Sequence, residues 1–125
     1  MWTYKHSTGS LINNSGAVVG TGYSGNGAGL NNPASQAAVS VGPIPQGQWI
    51  MTEFVAEGDD CGLGVIHLDP APGNDMAGRD GGFRIHGDDP SKPPFSASDG
   101  CIVYGHAADR QAIWDGNDHL LEVIQ

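Results

Sequence analysis

Phe83-Arg84-Ile85-His86-Gly87-Asp88, followed by Ser96-Ala97-Ser98-Asp99-Gly100-Cys101-Ile102-Val103, decides how this chain is read. Two short apolar runs flank a turn rich in Ser, Asp and Gly. The first closes on a histidine and the second opens on a cysteine. Runs this short, bounded by turn residues, read as buried neighbouring strands, Phe83 to His86 and Cys101 to Tyr104. Positions 86 and 101 are then far enough apart for adjacent strands to present the imidazole and the thiol side by side.

A thiol becomes a good nucleophile near neutral pH when a base takes its proton, and an imidazole within reach supplies that base. Gly100 lets the turn before Cys101 adopt conformations that other residues resist, so the N–H groups of Gly100 and Cys101 can face an oxyanion beside the thiol. Gly87 leaves its own carbonyl uncovered. That carbonyl can accept from His86 Nδ1 and turn Nε2 to the sulphur, the orienting task a carboxylate performs in a Ser-His-Asp triad. A buried cysteine beside a structural histidine is the competing reading, and the pair alone does not decide between them.

Outward from this pair the chain reads as mostly β. Met1 to Tyr4, Leu11-Ile12, Ala17 to Thr21, Gln48 to Val55, Leu63 to Leu68 and Leu120 to Ile124 are strand candidates. Asn13-Asn14-Ser15-Gly16 is a hairpin turn signal. Val41 to Gly47 reads as a rigid extended segment. Gly22 to Pro33 is too polar and Gly-rich for a regular element and reads as a loop, as does Ala71 to Gly82. Ala107 to Trp114 is the one helix, with Ile113 and Trp114 on its buried side and Gly116-Asn117 at its end. A length of 125 residues fits one domain, 1–125, with one core.

Composition narrows the partners. The net charge is −9, and the five basic residues, Lys5, Arg79, Arg84, Lys92 and Arg110, are scattered. That argues against nucleic acid, which needs clustered Lys and Arg, and against an anionic membrane surface. A substrate carrying amines or a basic protein partner suits the charge. No run approaches the roughly 20 apolar residues that a bilayer requires. No basic start leads into an apolar stretch, so no secretory signal is read. Started at Met1, the protein is made in the cytoplasm, and export takes another route. His67-x-Asp69 and His86-x-Asp88 look like paired metal ligands, but a third ligand is missing, so neither metal nor cofactor is expected. The two cysteines allow either a Cys61–Cys101 disulfide or a nucleophile with Cys61 as a bystander in the Asp59–Gly62 loop.

The residues also carry a resemblance. Ile85-His86-Gly87 and Ser98-x-Gly100-Cys101-Ile102 resemble the active-site signature of the YkuD-like L,D-transpeptidases. Val41 to Trp49 is similar to that family's Pro-x-Gly-x-aromatic segment. Closer still is the short branch of type VI secretion L,D-transpeptidase effectors, the Tlde1 group. It shares a Gly-Tyr-Ser-Gly-x-Gly…Asn-Asn-Pro loop (Gly22 to Pro33), a Gly-Asn-x-Met-x-Gly-Arg segment (Gly73 to Arg79) and Ser-Ala-Ser-x-Gly-Cys-Ile (Ser96 to Ile102). These motifs follow in order along nearly the whole chain.

The resemblance implies a YkuD-like L,D-transpeptidase β-sandwich with one short helix. It implies that Cys101 attacks the third-residue carbonyl of a peptidoglycan stem tetrapeptide, that D-Ala leaves, and that water or an amine resolves the thioester. His86 is then the base and acid, Gly87 its orienting carbonyl, Gly100 and Cys101 the oxyanion donors, and Ser98 the residue that holds the loop. Arg79 is a candidate for a substrate carboxylate, with Arg84 a weaker one. Tyr23, Ser24, Asn31 and Asn32 are candidates for lining the groove, with structural turn bonds as the alternative. Asp99 stands where the broader family has a second His. It would raise the thiol pKa unless it points away or meets a cationic group of the substrate. An enzyme reading expects a Cys101 thiol titrating below about 8.5. The implied partners are the stem peptide, the type VI machinery and a cognate immunity protein, with the target periplasm as the site of action. The rival reading is a non-catalytic binding module held by a Cys61–Cys101 disulfide.

Overall fold

A computed structural model describes residues 1–57 and 61–125. Part of the loop read at 59–62 therefore lies outside the described residues. The strands are β1 (Trp2–Lys5), β2 (Ser10–Ile12), β3 (Val18–Thr21), β4 (Tyr23–Ser24), β5 (Gly47–Val55), β6 (Val65–Pro70), β7 (Arg84–His86), β8 (Ile102–Val103) and β9 (Leu120–Ile124), with one α-helix, α1 (Ala107–Asp115). They form one sheet in the order β3-β2-β1-β9-β5-β6-β7-β8-β4. The chain is mostly β with one short helix, as its short apolar runs between turn residues predict.

Local chemistry explains the hairpins. Asn13 Oδ1 accepts from the N–H groups of Ser15 and Ala17, and Gly16 takes a φ of +87°, so the turn between β2 and β3 closes where the Asn-Asn-Ser-Gly signal stands. The β2–β3 register shifts between Leu11 and Ile12, a bulge that bends the edge of the sheet. The final strand, β9, inserts between β1 and β5, parallel to the first and antiparallel to the second.

The sheet nearly closes on itself. Its two end strands, β3 and β4, are consecutive in the chain and separated by Gly22 alone. A Cβ on Gly22 would lie 2.2 Å from the Val103 carbonyl oxygen, so only glycine lets β3 pass this close to β8. The Gly22–Pro33 segment, expected to be irregular throughout, thus contributes β4, paired antiparallel with β8. Tyr23 and Ser24 are buried by that pairing, and tertiary contact overrides the local glycine content.

The wrapped sheet encloses a core that includes Tyr4, Ile44, Trp49, Ile66, Ile85 and Ile102. Trp49 is fully buried, donates Nε1–H to the Pro45 carbonyl at 3.0 Å and meets Phe83 edge-on at 5.1 Å. Truncating such a side chain to Ala costs about 3–5 kcal/mol. Helix α1 contacts β5, β6 and β7 and buries Ile113, with Trp114 half-buried beside it. At its start the Asp109 carboxylate accepts the His106 N–H at 2.8 Å. No helix among the described residues is long and apolar enough to cross a membrane.

Candidate active site

Strands β7 and β8 run parallel, with Ile85 opposite Ile102 and His86 opposite Val103. Side chains alternate across a sheet, so Ile85 and Ile102 enter the core while Arg84, His86, Cys101 and Val103 fall on the other face. His86 and Cys101 line one cleft of about 610 Å³, with Cys61, Asp88 and Asp89 on its walls. A second cleft of about 220 Å³ lies on the other side of Cys101, between Val39-Ser40 and Gly78–Phe83. Cys101 and Asp99 belong to both, so the thiol sits between two grooves.

The His86 ring is buried, and its Nδ1 lies 2.7 Å from the Gly87 carbonyl oxygen. A carbonyl only accepts, so Nδ1 carries the proton and, in the neutral ring, Nε2 is the basic nitrogen. This is the carbonyl that the sequence singles out for that purpose. Gly87 is in turn backed by Arg110: a Cβ there would lie 3.0 Å from its guanidinium. Arg110 is buried and donates to the carbonyls of Leu63, Gly64, Tyr104 and Gly105. It ties α1 to the ends of β6 and β8 and forms a rigid wall behind the His86-Gly87 peptide.

The turn carrying Cys101 is fixed from three directions. Ser98 is fully buried, and its hydroxyl accepts from the N–H groups of Gly25 (2.9 Å) and Gly100 (3.1 Å) and donates to the Cys101 carbonyl (2.5 Å). That fills its capacity of one donor and two acceptors. Ser24 Oγ donates to the Gly100 carbonyl and accepts from the Ile44 N–H, both at 2.9 Å. Arg79 donates to the Asp99 carbonyl at 2.8 Å and to the carbonyls of Gln36 and Pro43, while its guanidinium lies 5.3 Å above the Phe83 ring. Gly100 has a φ of +144°, and a Cβ on it would lie 2.4 Å from Arg79 Nη2, so glycine is required twice over.

These bonds correct several assignments. Arg79 turns both terminal nitrogens onto backbone carbonyls in a buried position, which makes it a brace of the turn, and it also lines the smaller cleft. Ser24, fully buried, and Tyr23, whose hydroxyl donates to Asp88 at 2.8 Å and accepts from the Ala97 N–H at 3.1 Å, brace the same region and leave the groove walls to others. Asn32 accepts the Ala34 N–H as the cap of a 3₁₀ turn, and Asn31 Oδ1 accepts from Tyr4 and from the Ser24 N–H. The Gly100 N–H is spent on Ser98 and is unavailable to an oxyanion. The Cys101 N–H makes no hydrogen bond among the described residues and is the donor left for that place.

The resting thiol also differs from expectation. Burial pushes Cys101 up to about 11, the Arg84 backbone N–H and guanidinium oppose this, and Cys61 and Asp99 add to it. Asp99 is exposed and lines both clefts. Cys61 and Cys101 are both thiols, without the disulfide that the binding-module reading needs. Arg84 donates to Cys61 Sγ at 3.3 Å, a contact no sequence motif signals. Its place two residues before His86, on the same face of a strand, is the one clue. His67 lies 3.7 Å from Glu53 across β5 and β6, and no group of three metal-ligating side chains occurs among the described residues.

A family model described as the Tlde1 domain matches residues 19–121. The chain belongs to the Tlde1 domain family. That makes it a type VI effector domain of antibacterial type, with an immunity partner expected in general terms. No curated protein and no solved structure matches it. The matched span contains the segments that hold the Cys101 turn and line its clefts, among them Tyr23–Ser24, Gly78 to Arg84, His86-Gly87 and Ser98 to Cys101. Within the Gly73–Arg79 motif of this Tlde1 domain, Asn74 accepts the Gln48 N–H at 3.0 Å, Met76 packs on the core and Arg79 clamps the turn. The motif is therefore a fastening device.

Proposed function

We propose that this Tlde1 domain is a cysteine L,D-carboxypeptidase and transpeptidase that acts on peptidoglycan stem peptides in the periplasm of target bacteria. One observation carries the reading: His86, its tautomer set by the Gly87 carbonyl at 2.7 Å, shares a cleft with Cys101. A buried cysteine and a merely structural histidine need no common cleft and no such orientation.

The resting nucleophile is a neutral thiol, so no preformed ion pair attacks. His86 Nε2 takes the Cys101 proton as sulphur adds to the carbonyl carbon of the third stem residue. The oxyanion meets the Cys101 N–H. The tetrahedral intermediate collapses, the C–N bond to D-Ala breaks, and His86 returns the proton to the leaving amine. Water then hydrolyses the thioester, or an incoming amine forms a new amide, with His86 again as base. The two clefts give the stem and the leaving or entering D-amino acid one side each. Asp80, Asp88, Asp89 and Asp99 line them and suit a substrate bearing ammonium groups. Delivery by type VI machinery and neutralisation by an immunity protein complete the reading.

Digestion of tetrapeptide muropeptides tests it. Wild type yields tripeptide or D-amino-acid-exchanged product, and Cys101→Ala and His86→Ala each lower the rate by more than about 10³-fold. Equal product from Cys101→Ala overturns the proposal.

A further inference from the structure

Cys61 has no part in the chemistry above, yet it lines the His86–Cys101 cleft. Arg84 stands between the two cysteines. Its guanidinium donates to Cys61 Sγ at 3.3 Å, while its backbone N–H faces the Cys101 sulphur. The β7–β8 register agrees: Ile85 is opposite Ile102, which makes Arg84 and Cys101 neighbours on adjacent strands. A charge on Cys61 is felt at Cys101. Next in the chain, Gly62 has a φ of +100° and open space where a Cβ would stand, so no side chain there closes the cleft beside Cys61.

We propose that Cys61 is a resolving thiol, which closes a reversible disulfide onto Cys101 and blocks the nucleophile under oxidising conditions. The inference rests on Cys101 being the nucleophile. The oxidant is a small-molecule disulfide, R–S–S–R. One cysteine thiolate attacks it, forming a mixed disulfide and releasing R–S⁻, which takes up the proton that the cysteine lost. The second cysteine, its proton passed to His86, attacks the protein sulphur of that mixed disulfide and expels the second R–S⁻, which leaves as R–SH with that proton. Two protein thiols are oxidised and one small disulfide is reduced to two thiols. The disulfide also keeps Cys101 off the irreversible steps of thiol oxidation until a reductant frees it.

The test uses glutathione disulfide as the oxidant and intact mass as the readout. Wild type is expected to lose the mass of two hydrogens without retaining a glutathione adduct, and digestion yields a Cys61–Cys101 cross-linked peptide. Cys61→Ser and Cys61→Ala instead keep a glutathione adduct on Cys101. Stable adducts on both cysteines of wild type, with no cross-linked peptide, overturn the proposal. The mass readout needs no turnover. A protein that cross-links yet trims no muropeptide overturns the proposed function, whereas one that trims yet never cross-links overturns the disulfide alone.

Discussion

Ser98→Ala removes one oxygen from the centre of the Cys101 turn. That oxygen serves the N–H groups of Gly25 and Gly100 and the carbonyl of Cys101, at a fully buried position. Each buried polar group stranded by such a change costs about 1–3 kcal/mol. Three groups at the low end, as the turn relaxes, give a loss of about 3 kcal/mol. A domain of this size is stable by about 5–15 kcal/mol, so the variant folds but is plainly weakened. Urea unfolding followed by tryptophan fluorescence reads the loss directly. Ser96→Ala is the control: its hydroxyl bonds the Pro93 carbonyl at an exposed site, and a change within about 0.5 kcal/mol is expected. Turnover of tetrapeptide should fall as well, since displacing a reacting atom by about 1 Å costs about 10²-fold. A Ser98→Ala protein within about 0.5 kcal/mol of wild type would refute the account of this turn.

Two further outcomes follow from titrating groups. Alkylation of Cys101 by iodoacetamide, read on the peptide that contains it, should still be accelerating above pH 9, towards the thiol value of about 11; a plateau below about pH 8.5 would reveal a preformed thiolate and overturn the neutral resting state. His6 is fully buried, donates Nε2–H to the Ile44 carbonyl at 2.7 Å, and has its pKa lowered by burial, against that backbone bond. Its folded pKa lies below its unfolded one, so the unfolded chain binds the extra proton first. Stability should therefore drop as pH falls below about 6.5. Replacing His6 with Gln should flatten that part of the urea-midpoint profile, and an equally steep profile in the variant would assign the effect elsewhere.

Most of the strands were legible because their signals are local. Asn13 to Gly16 makes a turn whatever surrounds it, and Gln48 to Val55 is rich in aromatic and β-branched residues over a length that suits a strand. The orientation of His86 was legible for the same reason: its partner is the next residue's carbonyl. Tyr23–Ser24 was not, because nothing in a Gly-rich segment announces pairing with a strand some eighty positions away. The bracing bonds of Arg79, Ser24 and Tyr23 were hidden for a related reason. A sequence shows that a side chain can donate a bond, but the acceptors here, at Asp99, Gly100 and Asp88, are 20, 76 and 65 positions distant.

The sequence by itself therefore determined the β class, the carbonyl that meets His86 Nδ1 and the glycine that the turn before Cys101 needs. Only the tertiary structure decided which groups the motif residues bond, that the Gly100 N–H is taken by Ser98, and that Cys61 meets Arg84 and shares the cleft of His86 and Cys101. The physical reason is range. Backbone preference and turn chemistry act over a few residues. Hydrogen-bond partners and the burial that raises the Cys101 thiol exist only once the sheet has wrapped and brought distant loops together.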